Sequence, residues 1–176
     1  MKASFEIAHS MYGDIDETHM SLYIEFDNNR YRLIYAEEGN EVFELPLKEN
    51  YLTIFYNTLK HKTKDFMEKY DLSIDSFENM DKFELWDYMK EKSSEWDNFK
   101  IRDIRIFFDS NITLIIEPDT NITLRYHDCR LKCFNDLFSS YGTYDDELSA
   151  VNIFGIILMN RLVKFLKSIN RKGVVA

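Results

Sequence analysis

Glycine is scarce in this chain, and its glycines stand apart from one another. The sequence of 176 residues contains five, Gly13, Gly39, Gly142, Gly155 and Gly173. A P-loop or a dinucleotide-binding fingerprint needs clustered glycines, because its backbone must adopt positive φ angles and approach a phosphate closely. Nucleotide binding through either motif is therefore excluded.

Cysteine is also scarce, and long apolar runs are missing. Cys129 and Cys133 are too few for a disulfide framework. The longest apolar run, Ile153–Met159, is far shorter than the roughly 18 residues that a membrane span needs. Polar residues follow the first methionine, and no apolar signal-peptide core is visible. We therefore expect a soluble, cytoplasmic protein with reduced cysteines.

The motifs of catalytic and metal-binding sites are incomplete. His127, Cys129 and Cys133 have ligand types that suit zinc, but no fourth ligand is near them in sequence. The tripeptide at His61 resembles half of the paired His-x-Thr signature of two-histidine phosphoesterases, and a second copy is absent. No Gly-x-Ser-x-Gly nucleophile elbow occurs. We expect no metal, no cofactor and no catalysis. In the alternative case of an enzyme with an unrecognised active site, that site would lie around His61 or His127.

Hydrophobic periodicity predicts an α+β fold of one domain, residues 1–176, in two halves. In residues 1–70, period-two alternation predicts four short strands, and helical spacing follows from Asn50 to Tyr70. Pro46 is expected to end the fourth strand, and Ser10–Thr18 to form a polar loop. In residues 100–176 the same reasoning predicts strands at 104–108, 112–116 and 122–126, a short helix over Leu131–Phe138 and a long one over Thr143–Ile169.

The predicted architecture is two antiparallel meanders of three to four strands, a central pair of amphipathic helices and a long buried C-terminal helix. The second helix of the pair is expected near Asp81–Trp96, in an acidic helical connector over residues 71–99. The repeated order of strands followed by helix allows a duplicated βββα plan.

The chain carries a formal net charge of −9, from 31 acidic and 22 basic residues. A surface of that sign repels nucleic-acid phosphates and anionic membranes, so we expect no direct contact with either. It attracts a basic protein, and nucleases and toxins that act on nucleic acid present such surfaces.

The negative charge is concentrated in the acidic segment, Asp71–Asn98. Nine acidic and three basic residues give it a local charge of −6, and it contains both tryptophans of the chain. Aromatic side chains dominate binding energy at interfaces, and carboxylates around them accelerate encounter with a basic partner. The predicted partner-binding residues are Asp75, Glu78, Asp81, Glu84, Trp86, Asp87, Tyr88, Glu91, Glu95 and Trp96.

Composition therefore favours a protein-binding inhibitor of the immunity or anti-defence kind, resembling small acidic α+β proteins of bacteria and their viruses. A small hydrolase-like enzyme and a structural or assembly subunit are the alternatives. A second candidate surface is the far face of the later meander, where partial cover by a helix is expected. It comprises Asp103, Arg105, Phe107, Thr113, Ile115, Glu117, Thr123, Arg125 and His127.

Overall fold

The computed structural model describes residues 2–12, 18–69, 71–73, 84, 87, 103–117, 122–127, 129–134 and 147–169. It shows an α+β fold with two antiparallel four-stranded sheets and two long helices, which confirms the predicted meander plan. The first sheet is formed by β1 (Ala3–Tyr12), β2 (Thr18–Asp27), β3 (Arg30–Glu37) and β4 (Asn40–Leu47). The second is formed by β5 (Ile104–Phe107), β6 (Ile112–Ile116), β7 (Ile122–Tyr126) and β8 (Cys129–Phe134).

Two-residue turns set the register of the first sheet. Asn28 and Asn29 connect β2 to β3 with φ values of 47° and 62°, and Glu38 and Gly39 connect β3 to β4 with φ values of 49° and 76°. Paired positive φ angles match the twist of the flanking strands, and asparagine and glycine adopt them at low cost. The resulting register places Leu22 and Ile24 of β2, Leu33 and Tyr35 of β3 and Leu47 of β4 in the shared core.

Two sequence predictions for the first sheet are wrong. Residues 10–12 and Thr18 belong to β1 and β2, because the strands continue to pair beyond the expected loop start. Pro46 does not end β4, which continues to Leu47. β4 is an edge strand, so the missing N–H of a proline does not interrupt the sheet.

The second sheet contains one strand that the sequence analysis assigned to a helix. Residues 129–134 form β8 and pair with β7, so the predicted helix over Leu131–Phe138 is wrong for residues 131–134. Residues 135–138 lie outside the described residues. Cys129, Leu131 and Cys133 alternate with Arg130 and Lys132, which is a strand pattern, and hydrogen bonds to β7 satisfy the backbone there.

Both long helices follow the predicted apolar stripes. Helix α1 (Glu49–Lys69) buries one face and ends with a basic residue, which suits the helix dipole. Helix α2 (Glu147–Ser168) is buried on all sides over residues 154–160, as its apolar middle predicts. Of the helix expected near Asp81–Trp96, Glu84 and Asp87 are described, and both are helical.

Each of the two helices packs against the first strand of the other half. Helix α1 lies against β5, the first strand of the second half, and α2 lies against β1, the first strand of the first half. The helices also contact each other, and the edge strands β1 and β8 approach one another. Each half is thus a four-strand meander followed by a helix, and their apolar faces share one core.

The closest approach within this core is at Gly155 of α2. A Cβ atom at this position would lie 3.0 Å from Thr63 Cγ2 of α1 and 3.0 Å from Ile104 Cδ1 of β5. Both neighbouring side chains are fully buried, so neither has open space into which to move. Glycine at residue 155 therefore allows α2 to contact α1 and the second sheet simultaneously.

A row of aromatic rings also joins the halves. Phe5 of β1 lies 6.1 Å from Phe165 of α2 and 5.8 Å from Phe55 of α1, measured between ring centroids. Phe55 meets Phe108 edge to face at 5.7 Å, the arrangement that the ring quadrupole favours. Tyr51 stacks beside Phe108 and donates a hydrogen bond to Asp109, beyond the end of β5.

We expect Gly155→Val to destabilise the fold by about 1–3 kcal/mol, since the added side chain overpacks a closed site. Helix propensity alone predicts the opposite sign, because valine is a better helix former than glycine. The matched control is Lys167→Val on the exposed face of α2, for which only a few tenths of a kcal/mol are expected. Urea unfolding measures both, and equal stability of the two variants would contradict the packing argument.

Candidate functional site

Of the acidic segment, the structure describes residues 71–73, Glu84 and Asp87, and the last two are predicted partner-binding residues. Both are helical and exposed, and residues three apart lie on neighbouring positions of one helix face. The other predicted partner-binding residues lie outside the described residues, namely Asp75, Glu78, Asp81, Trp86, Tyr88, Glu91, Glu95 and Trp96. The segment follows α1 and precedes β5, and Leu72 and Ile104, close to its two ends, are buried.

A charged cluster lies on the outer face of the first sheet, with Arg32 of β3 at its centre. The Arg32 guanidinium donates hydrogen bonds to Glu25 of β2 and to Glu44 of β4, and it lies 3.6 Å from Glu41. Lys2 adds a second cation to Glu25 at 2.9 Å. Glu25 and Arg32 are direct cross-strand partners, so the register of the sheet brings them together.

Glu25 is a buried carboxylate, with 2% of its surface exposed. Burial alone would raise the pKa of its carboxyl, but hydrogen bonds from Lys2 and Arg32 outweigh that effect and hold the pKa below its usual value. The carboxylate therefore stays ionised and binds the two cations. This cluster stabilises the sheet from its outer side.

The far face of the second sheet carries the second predicted surface. Arg105, Ile115 and Thr123 are in register across three strands, and so are Phe107, Thr113 and Arg125. Ile115 and Thr123 are buried, whereas Phe107 is 60% exposed, and the partial cover by a helix expected for this face stays a prediction. Phe107 thus stands at the sheet edge, two residues after Arg105 on β5, and Arg125 lies beyond Thr113 on β7.

His61 lines a pocket on α1. The pocket has a volume of about 490 Å³, and Met67, Leu72 and Met159 supply its apolar surface. Its polar wall consists of Asn57, Lys60, His61, Lys64 and Glu68. The carboxylate of Glu68 lies 3.7 Å from the ammonium of Lys64, so the charges around His61 are partly paired.

Of the predicted ligand cluster, His127 is exposed in the β7–β8 turn with a φ of 53°, and its backbone N–H donates to the carbonyl of Asn111 at 2.6 Å. Cys129 and Cys133 belong to β8, where their backbones pair with Tyr126 and Thr123 of β7.

Sequence reasoning missed a pair of histidines on the first sheet, His9 of β1 and His19 of β2. Their ring centroids are 5.4 Å apart. Nearly ten residues separate them, and neither belongs to a motif, so only the pairing of β1 with β2 identifies them as neighbours.

Comparisons with models of protein families, with curated proteins and with solved structures find no match to this chain. Within the described ranges, no three residues of the types histidine, cysteine, aspartate and glutamate gather closely enough to hold a metal ion together. No helix among the same residues is long and apolar enough to cross a membrane.

We expect Arg32→Met to destabilise the fold by about 2 kcal/mol at pH 7, since breaking a buried ion pair is costly and Lys2 compensates in part. A carboxyl with a lowered folded-state pKa stabilises above its ordinary pKa of 4.5, and that contribution is lost as the pH falls. The difference between wild type and variant should therefore begin to shrink as the pH falls below 4.5, and it should continue to shrink as the pH falls through the lowered pKa of Glu25, because a protonated Glu25 needs no cation.

The matched control for this prediction is Arg30→Met, an exposed arginine on the same strand. It should change the free energy of unfolding by less than about 0.5 kcal/mol at either pH. Denaturant titrations at pH 7 and pH 4 measure all three proteins. A pH-independent loss in Arg32→Met would contradict the ionised state of Glu25.

Proposed function

We propose that this chain is a non-catalytic, immunity-type inhibitor that binds a basic protein partner through the acidic segment. The observation that carries the proposal is the position of Glu84 and Asp87, which are helical, exposed and on neighbouring positions of one face. They belong to the stretch of sequence that holds −6 of the net charge of −9.

The concentration of negative charge in the acidic segment supports an inhibitor role, because it increases the rate at which the chain meets a basic partner. Clustered carboxylates raise the local concentration of a cationic partner, and steering of this kind increases association rates by factors of about 10 to 1,000. A protein that acts on nucleic acid presents a phosphate-binding surface, and a row of carboxylates competes with phosphate for it. We infer that the partner is a nuclease or a toxin with a basic active surface.

The aromatic content of the same segment supports binding strength. Trp86, Tyr88 and Trp96 are of the types that supply most hot-spot energy, and they alternate in sequence with carboxylates. Aromatic anchors slow dissociation, whereas charges accelerate association. The combination in one segment suits an inhibitor, which must bind quickly and stay bound.

The test is capture of proteins from a host lysate on the immobilised chain, followed by kinetics with the purified basic protein obtained. We expect Glu84→Gln/Asp87→Asn to slow association roughly threefold or more at low salt, and the effect to fade at about 1 M salt. The matched control, Glu6→Gln/Asp65→Asn, removes the same charge from exposed positions elsewhere.

Equal association rates for the two double variants would contradict the assignment to the acidic segment. Unchanged binding after neutralising every carboxylate of Asp71–Asn98 would contradict the proposal as a whole. Failure to capture a basic protein from any lysate would also contradict the proposal.

The pocket around His61 favours a second candidate, a small hydrolase-like enzyme. Its volume is within the range of about 300–1,000 Å³ typical of small-molecule sites, and it combines an apolar floor with an imidazole, two lysines and one carboxylate. An imidazole in this setting suits proton transfer, and lysines suit an anionic substrate group.

For this second candidate we expect turnover of a chromogenic phosphomonoester or ester that falls about 100-fold or more in His61→Gln. His127→Gln is the matched control, because His127 is exposed on the other half of the fold. A wild-type protein that hydrolyses neither probe would remove the enzyme candidate and leave the inhibitor proposal untouched.

A further inference from the structure

His9 and His19 lie on the outer face of the first sheet, on neighbouring strands. His9 of β1 is opposite Ser21 of β2, and His19 is opposite Met11, so the two histidines are diagonal neighbours across the pair. His9 is half-buried and His19 is exposed. The register of two regular strands therefore fixes both backbones, and solvent reaches the side chains.

The two imidazoles place one ring nitrogen each close to the other. His19 Nδ1 lies 3.3 Å from His9 Nε2. Two nitrogens bound to one tetrahedral zinc at about 2.05 Å are separated by about 3.3 Å, so the pair already has the spacing of two ligands on one ion. A metal ion can therefore be bound here without moving either strand.

Hydrogen bonds around the pair orient it further. Ser21 Oγ is 3.1 Å from His9 Nδ1 and can accept its proton, which leaves a lone pair on His9 Nε2, the nitrogen that points to His19. The backbone N–H of His19 donates to Glu38 Oε1 at 2.6 Å, and its carbonyl accepts from Glu38 N–H at 2.8 Å. Outer partners of this kind fix the tautomer and the position of metal-binding histidines.

We propose that His9 and His19 form a binding site for a divalent transition-metal ion of the zinc, copper or nickel class. Imidazole nitrogen suits these ions, whereas magnesium and calcium require oxygen ligands. No third side chain of a ligand type joins the pair among the residues that the structure describes. The ion would keep open coordination positions for water or for an incoming ligand. The proposal differs from the sequence analysis, which expects no metal.

A hydrogen bond between the two imidazoles also accounts for the 3.3 Å contact without a metal. Measuring metal binding distinguishes these two explanations. Calorimetry of the full chain with Zn²⁺ and with Ni²⁺ should show one saturable site, and Mg²⁺ should show none. His9→Gln and His19→Gln should each weaken binding about tenfold or more. Ser21→Ala, which removes only an outer partner of His9, should weaken binding less than either histidine variant does.

Two control variants test whether metal binding depends on His9 and His19 specifically. His61→Gln/His127→Gln removes the other two histidines of the chain, and Cys129→Ser/Cys133→Ser removes both thiols. Both should bind zinc as the wild type does. Loss of binding in either control with retention in His9→Gln and His19→Gln would overturn the proposal, as would the absence of saturable binding in the wild type.

A spectroscopic measurement tests the geometry itself. On addition of Zn²⁺, the ¹⁵N resonances of His9 Nε2 and His19 Nδ1 should shift to metal-bound positions, while His9 Nδ1 should remain protonated. Shifts at the opposite ring nitrogens would overturn the assigned arrangement. Because both side chains are on the outer face, circular dichroism of the variants should match that of the wild type.

Discussion

The fold depends on how closely α2 can approach its two neighbours at Gly155. A side chain there would meet Thr63 of α1 and Ile104 of β5, both fully buried, so the helix would have to move away from one or the other. Moving it would separate Phe165 from Phe5 and open the aromatic row that continues through Phe55. One missing Cβ thus permits a core that is shared by both sheets and both helices.

Reciprocal packing makes the halves interdependent. Helix α1 belongs by sequence to the first half but lies against β5, and α2 belongs to the second half but lies against β1. Each helix also contacts its own half, α1 through Phe55 on Phe5 and α2 through Gly155 beside Ile104. The acidic segment lies between these halves in sequence, and the side chains of Leu72 and Ile104, near its two ends, are buried.

Local patterns predicted much of this architecture, and long-range register accounts for what they missed. The turn at Asn28 and Asn29 is two residues long, so residues equidistant from it must pair, and Glu25 opposite Arg32 follows by counting. Glu44 cannot be found in that way, because an irregularity after Tyr35 shifts the count between β3 and β4. The helix expected over residues 131–138 is wrong at residues 131–134 for a related reason, because β7 offers a pairing edge that no local pattern records.

The carboxylates that make up the net charge have different physical roles, which composition cannot separate. Glu25 is buried under Lys2 and Arg32, and Asp109 accepts a hydrogen bond from Tyr51 and from the backbone N–H groups of Asn111 and Ile112. The Tyr51 hydrogen bond is the main cause that lowers the pKa of Asp109, so this carboxylate stabilises the join between α1 and the second sheet. The two cations beside Glu25 offset its charge locally, so it contributes little to the outer field. Glu84 and Asp87 are exposed, and exposed carboxylates contribute to the field that steers a cationic partner.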